Sequence, residues 1–210
     1  MARKFDDKKL LIASGNQGKV KEISSLLSKY PLSLVSVSEY NCEEPEENGT
    51  SFKANAEIKA EYYGKVTGLP ALADDSGLVI PDLDGQPGIY SARWAGADKN
   101  FLTAMKRIED MLHEKFGADA IIQNEAYFVC ALTIYWPSDH HFETFEGRLE
   151  GHIQFPPSGT KGFGYDPIFV PKGYNNTLAE LSPDIKNQIS HRSEAFKQLV
   201  NACFAEETIS

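Results

Sequence analysis

Short apolar runs alternate with segments of helical period along the whole chain, and this interleaving restricts it to the α/β class. Lys9 to Ser14 (KLLIAS) reads as a strand that enters a turn at Gly15-Asn16-Gln17-Gly18. Val20, Ile23, Leu26 and Leu27 then recur at helical spacing, which predicts an amphipathic helix over Val20 to Leu27. Leu32 to Val37 alternates apolar residues with serines, a second strand. Ser51 opens a helix that stops near Gly64 or Gly68, with Pro70 closing the connection. Leu69 to Ile80 supplies strand material, expected to be interrupted where Asp74-Asp75 meet the turn formers Ser76-Gly77. Asp82 to Gly96 is rich in Gly and Pro and reads as an irregular functional loop, and Asp98 to Phe116 as a helix. Ala126 to Trp136 and Phe142 to Ile153 form a long hairpin; Phe155 to Tyr165 is a loop, Ile168 to Val170 a short strand and Ser190 to Phe204 a terminal helix.

There is no repeat, low-complexity tract or linker, and 210 residues can bury a substantial core. A net charge of -9 argues against sequence-independent binding to a nucleic-acid backbone, which relies on basic patches. It does not argue against a small polyanion held by a few local lysines. The run Glu43, Glu44, Glu46 and Glu47 around Pro45 reads as a solvated loop. Three widely spaced cysteines without a CxxC point away from a disulfide framework or a zinc site and suit a reducing compartment. The charged start MARKFDDKK reaches only the short run LLIA, so neither a signal peptide nor a membrane span is expected, and the expected location is cytoplasmic.

Four segments carry candidate chemistry. Adjacent Asp74 and Asp75 offer hard oxygen ligands of the kind Mg²⁺ takes when substrate phosphates complete its shell. Ser14-Gly15-Asn16-Gln17-Gly18-Lys19 places small residues and a lysine at a strand-to-helix turn, where backbone N–H groups and the helix start favour an anion. It is not a Walker A loop, because the glycine-to-lysine spacing is too short and no Ser or Thr follows the lysine. Asn55 and Lys59 lie four apart on one helix face, suited to a phosphate group. Lys161 to Asp166 (KGFGYD) exposes backbone around two aromatics that could stack a base, and Lys186 to Arg192 (KNQISHR) supplies donors for phosphates and carbonyl oxygens. Each of these also has an ordinary structural reading: a turn, a helix start, a solvated face, or aromatics turned into the core.

Their joint order is more specific. IASGNQGKVKEI, ENGTSFKANAEIKA, ALADDSGLVIPDLDGQPGIYSARWAG, GFGYDPIFVP and AEL followed by KNQISHR together resemble the inosine triphosphate pyrophosphatase family, from about Leu11 to Leu199. Small departures are Ser14 where Thr is more usual, Asn48 in place of the Thr before Gly49, and Ser193 in place of Gly after Ser-His-Arg.

The resemblance implies an elongated, two-lobed α/β fold over 1–210 as a single domain, with a long mixed sheet flanked by helices and a nucleotide cleft between the lobes. It implies a homodimer that uses Mg²⁺ to cleave ITP, dITP and XTP to the monophosphate and pyrophosphate, with no nucleic-acid or membrane partner. By the same resemblance Ser14, Gly15, Asn16, Gln17, Gly18 and Lys19 hold the triphosphate, assisted by Lys59. Glu46 or Glu47, with Asp75, holds the metal. Asp75 is the general base, and Ser76 contacts the nucleotide. Phe163, Gly164, Tyr165, Asp166, Lys186, His191 and Arg192 form the base pocket.

The chemistry agrees with these residue types, since triphosphate hydrolysis needs neutralised phosphate oxygens and a positioned water. A carboxylate beside a metal keeps a low pKa, so the value of Asp75 is expected to lie in orienting water. Hypoxanthine and xanthine carry a 6-oxo acceptor where adenine carries a donor, so donors from Lys186 to Arg192 would be left unpaired against ATP. Two other readings are a nucleotide sensor without hydrolysis and a Maf-like pyrophosphatase acting on modified pyrimidines. The acids and Lys59 argue against the first, and GFGYD with SHR argues against the second.

Overall fold

The computed structural model describes residues 2–40, 42–117 and 124–204. Its sheet has six strands: β1 (Lys9–Ile12), β2 (Ser33–Ser36), β3 (Ala71–Val79), β4 (Glu125–Trp136), β5 (His141–Ile153) and β6 (Phe169–Pro171). Their spatial order is β2-β1-β3-β4-β5-β6. β1 runs parallel to β2, with Leu10 opposite Leu34, and parallel to β3, with Ile12 opposite Leu72. β5 and β6 are antiparallel, so the sheet is mixed as expected. Among the described residues five helices accompany it: α1 (Gln17–Leu27), α2 (Phe52–Thr67), α3 (Phe101–Phe116), α4 (Pro183–Ile189) and α5 (His191–Cys203). None of the described helices is long and apolar enough to cross a membrane.

The chain divides into two units. The first comprises residues up to Asp75, Cys130–Gly147 and the stretch from Arg192 onward. Leu10, Leu11 and Ile12 are all buried, as the central strand of a parallel ladder must be when both faces are covered. Parallel neighbours need crossover connections, and α1 and α2 provide them. Helix α2 starts where Ser51 Oγ accepts from the Ala54 N–H, and ends at Gly68, whose φ of 70° suits a residue without a Cβ. Ala56, Ala60 and Gly64 let α2 approach the sheet closely, since a Cβ on Gly64 would come 2.5 Å from the Tyr135 ring.

The second unit comprises Ser76–Val129 and Arg148–His191. Ala104, Met105, Ile108 and Leu112 line the buried face of α3 and pack with Leu78, Ile80, Phe128, Ile168 and Phe169. Pro81–Leu83, Gly88–Tyr90 and Arg93–Ala95 form short 3-10 turns in the segment expected to be irregular. Ser91 Oγ ties that segment down by accepting from the Leu78 N–H at 2.9 Å and donating to the Gly88 carbonyl at 2.7 Å.

Two expectations need correction. β3 is not interrupted at the Asp pair and runs unbroken through Asp74, Asp75, Ser76 and Gly77. The turn preference of these residues gives way because the carboxylates find ion-pair partners and the backbone is engaged in the sheet. The terminal helix expected from Ser190 is also preceded by α4. Ser182 caps α4, with its Oγ 3.3 Å from the Ile185 N–H, and Pro183 supplies a first-turn φ. Ser190 then takes an extended conformation, and α5 begins at His191. Residues 118–123 lie outside the described residues.

Candidate active site

The turn between β1 and α1 is built around Asn16. Its Oδ1 accepts from the Gly18 and Lys19 N–H groups at 2.9 and 3.3 Å, while Ser14 Oγ accepts from the Asn16 N–H at 3.2 Å. Asn16 is therefore an N-cap that satisfies donors otherwise left open at a helix start. Gly15 lies close to the acidic loop, since a Cβ there would come 2.5 Å from Glu44 Oε1, the mobile end of an exposed side chain. Gln17 is exposed, and Lys19 directs its ammonium inward to an ion pair with Asp74 Oδ1.

Successive residues of a strand face opposite sides of the sheet, so β3 sends its two carboxylates into separate surroundings. Asp74 has a fully buried side chain. Its Oδ2 accepts from Arg192 Nε at 2.8 Å and from the Cys130 thiol at 3.0 Å. Arg192 in turn ion-pairs with Glu22 on α1. Burial opposes the Asp74 charge, but Arg192 and Lys19 outweigh it and hold the carboxyl well below the usual carboxylate range. Burial, reinforced by the Asp74 charge, pushes the Cys130 thiol well up, so it remains a donor.

Asp75 has different partners. Its Oδ1 accepts from Lys59 Nζ at 2.9 Å, and its Oδ2 lies 3.4 Å from Asn55 Nδ2. The same Lys59 Nζ lies 2.7 Å from Glu47 Oε1. Asn55 is fully buried, and its Oδ1 accepts from the Gly49 N–H at 2.9 Å, fastening the acidic loop to α2. The four-residue spacing of Asn55 and Lys59 does put both on one face, and that face meets Asp75. Burial pushes Asp75 up, and Lys59 and Lys19 only partly offset it. This differs from the low value expected beside a metal, because in the protein alone desolvation dominates. Burial also disfavours charge on Lys59, but Asp75 and Glu47 more than restore it, so Lys59 stays an ammonium.

Glu47 and Asp75 thus direct hard carboxylate oxygens at one cationic centre, Lys59 Nζ. Among the described residues no group of three or more His, Cys, Asp or Glu forms a protein cage for a metal. Two converging carboxylates nevertheless fit Mg²⁺, which is bound through one or two of them plus substrate phosphates. Glu46 is exposed, whereas Glu47 is half-buried and turned to Lys59. Ser76, the next residue of β3, is half-buried.

In the second unit Asp166 organises the other candidate segment. Its Oδ2 accepts from the Phe163 N–H at 2.8 Å and from Lys186 Nζ at 2.6 Å. Lys186 Nζ also lies 4.5 Å from the centre of the Phe163 ring, a cation–π contact. Gly162 must be glycine, because its φ is 77° and a Cβ would collide with Asp166 Oδ2. Gly164 likewise has a positive φ, 68°. Of the two aromatics, Phe163 is 38% exposed and able to meet a ligand. Tyr165 is buried, donates its hydroxyl to the Ser91 carbonyl at 2.8 Å and sits edge-on to Phe101. The His191 ring stacks on Phe128 with centres 4.9 Å apart.

The structure therefore gathers Glu47, Lys59 and Asp75 in one place, and Phe163, Asp166 and Lys186 in another. Arg192 is buried in the first unit, where it ion-pairs with Asp74 and Glu22. Sequence reasoning did not reach Glu22, Cys130 or the anchoring role of Asn55. Glu22 had a signal, since it lies three positions after Lys19 on the same helix. Cys130, a lone thiol in an apolar strand, had none.

Residues 10–202 match the family model described as the Ham1 family. The chain belongs to the Ham1 family. It is similar to the dITP/XTP pyrophosphatase of Zymomonas mobilis, 51% identical over 96% of this chain and 94% of that protein. The dITP/XTP pyrophosphatase of Agrobacterium fabrum is 47% identical over 96% of this chain and 98% of its own length. Among solved structures, a HAM1 protein from Coxiella burnetii superposes with a TM-score of 0.83 at 37% identity, covering 93% of this chain and 98% of that one. The Ham1 match extends over the strands and helices that carry both candidate clusters.

Proposed function

We propose that this Ham1-family protein hydrolyses non-standard purine nucleoside triphosphates, ITP, dITP and XTP, to the monophosphate and pyrophosphate with Mg²⁺. The reading rests on the convergence of Glu47, Lys59 and Asp75 in a chain half identical to proteins named dITP/XTP pyrophosphatase. The Ser14 to Lys19 turn and Lys59 bind the triphosphate, and Glu47 and Asp75 hold the metal. Bound there, Mg²⁺ would neutralise phosphate charge and polarise the reacting phosphoryl group. Asp75 orients the attacking water and takes up its proton. The water oxygen joins phosphorus as the bridge between the α- and β-phosphates breaks, and pyrophosphate leaves. Ser76 contacts the nucleotide beside Asp75.

The base is assigned to Phe163, Asp166, Lys186 and His191. Phe163 offers an exposed face for stacking, and the Lys186 ammonium offers donors to a 6-oxo group that adenine lacks. A cytoplasmic homodimer is part of the same proposal, supported by the family resemblance.

Pyrophosphate release from ITP, XTP, GTP and ATP, with and without Mg²⁺, tests this directly. The expected result is fast Mg²⁺-dependent release from ITP and XTP alone. Binding of ITP without release would overturn the hydrolase reading, and equal cleavage of all four would overturn the base assignment.

A further inference from the structure

Lys59 bridges the two carboxylates assigned above to the metal. Its Nζ lies 2.7 Å from Glu47 Oε1 and 2.9 Å from Asp75 Oδ1, with side-chain exposures of 13%, 29% and 9% for Lys59, Glu47 and Asp75. An ammonium held this way screens two acids that would otherwise repel each other in a poorly solvated place. A divalent cation drawn to the same oxygens would face that ammonium at contact range, where like charges repel strongly. Lysine is a compact charge on a flexible four-carbon stem, so it can leave one set of oxygens and reach another.

We propose that Lys59 is an exchangeable counter-ion: metal entry displaces its ammonium from Glu47 and Asp75, and the released ammonium then binds the triphosphate. The inference rests on the metal assignment in the proposed function and adds a consequence to it. Metal alone binds weakly, because it must evict Lys59. Once a triphosphate is present, the evicted ammonium has new anionic oxygens to bind, so metal and triphosphate strengthen each other's binding. By linkage the enhancement is the same in both directions. Lys59 is then a positioning residue that couples cofactor to substrate, and also guards the acids against stray cations when no nucleotide is bound.

The experiment is calorimetric titration of the full chain with Mg²⁺ alone, comparing the wild type with Lys59→Gln, Asp75→Asn and the double variant. Alongside it, amine labelling of Lys59 is followed by mass spectrometry with and without Mg²⁺. Lys65, an exposed partner of Glu61, serves as the internal control. The expected results are about tenfold tighter Mg²⁺ binding in Lys59→Gln, a change of about 1.4 kcal/mol; loss of that binding in the double variant; and several-fold faster labelling of wild-type Lys59, but not Lys65, when Mg²⁺ is added. Equal Mg²⁺ affinity in the wild type and Lys59→Gln, lost on Asp75→Asn, would overturn the exchange while leaving the metal site intact. Unchanged Lys59 labelling at saturating Mg²⁺ would overturn it as well, without relying on any variant. Mg²⁺ binding that is indifferent to Asp75→Asn would overturn the metal assignment itself, and the exchange with it.

Discussion

Asp74 and Asp75 are chemically identical neighbours on one strand, yet the protein treats them in opposite ways. Asp74 faces two cations and a thiol donor. Asp75 shares one lysine with Glu47 and has a long contact to an amide, so its compensation can be exchanged. The contrast lies in the counter-charges each carboxylate is given: two cations for Asp74, and for Asp75 a lysine divided with Glu47. Burial alone does not distinguish the two.

Removing the Asp74 charge should have the largest effect. Asp74→Asn leaves the buried Arg192 and the half-buried Lys19 without their shared anion, and unfolding in urea should show a loss of about 3–5 kcal/mol. A loss under 1 kcal/mol would mean that Glu22 alone can neutralise Arg192.

Asp75→Asn should do the reverse. Single-turnover pyrophosphate release should fall by about a hundred- to a thousandfold, within the range for a positioned acid–base group, while the urea midpoint at pH 7 stays equal or rises. A collapse of stability in this variant would erase the distinction between the two acids.

Acid titration of the metal-free protein separates them further, because their shifts have opposite signs. The folded Asp74 pKa is depressed, so its contribution is present above the ordinary carboxylate pKa and is lost as pH falls toward the folded value. The folded Asp75 pKa is raised, so its contribution is complete below the ordinary value and is lost as pH rises through the folded one. Urea midpoints between about pH 2 and pH 6 should therefore rise with pH less steeply in Asp74→Asn than in the wild type, and more steeply in Asp75→Asn. Parallel profiles for all three proteins would contradict the assignment.

The smallest effect belongs to the thiol. Cys130→Ala removes one donor to Asp74 and a little packing, and should lower stability by about 1–2 kcal/mol. Turnover at saturating ITP should be unchanged, since the thiol's hydrogen bond goes to Asp74. A loss of turnover would show that the two networks are coupled.

Much of this arrangement is legible along the chain, because local rules govern it. Asn16 at the head of α1, Ser51 and Gly68 at the ends of α2, and the β4–β5 hairpin all follow from caps, turn residues and period. The placing of Lys59 and Asn55 on one helix face also follows, since four residues of helix put them together. Three features were not legible. β3 passes through an Asp-Asp-Ser-Gly string that local preference reads as a turn, because partners up to 118 residues away neutralise Asp74. Arg192 is the arginine of the Ser-His-Arg string, and the ion pairs of its guanidinium with Asp74 and Glu22 join parts of the chain far apart in sequence. Tyr165 has the spacing of a stacking aromatic but is drawn into the core with Phe101 and Ser91.

The sequence by itself determined the α/β order of elements, the family and the set of polar residues available for chemistry, because these depend on spacing, composition and motif order. Only the tertiary structure decided which acid is locked and which is exchangeable. That depends on where distant cations lie: adjacent strand residues face opposite sides of the sheet, and the counter-charges on each side come from remote parts of the chain.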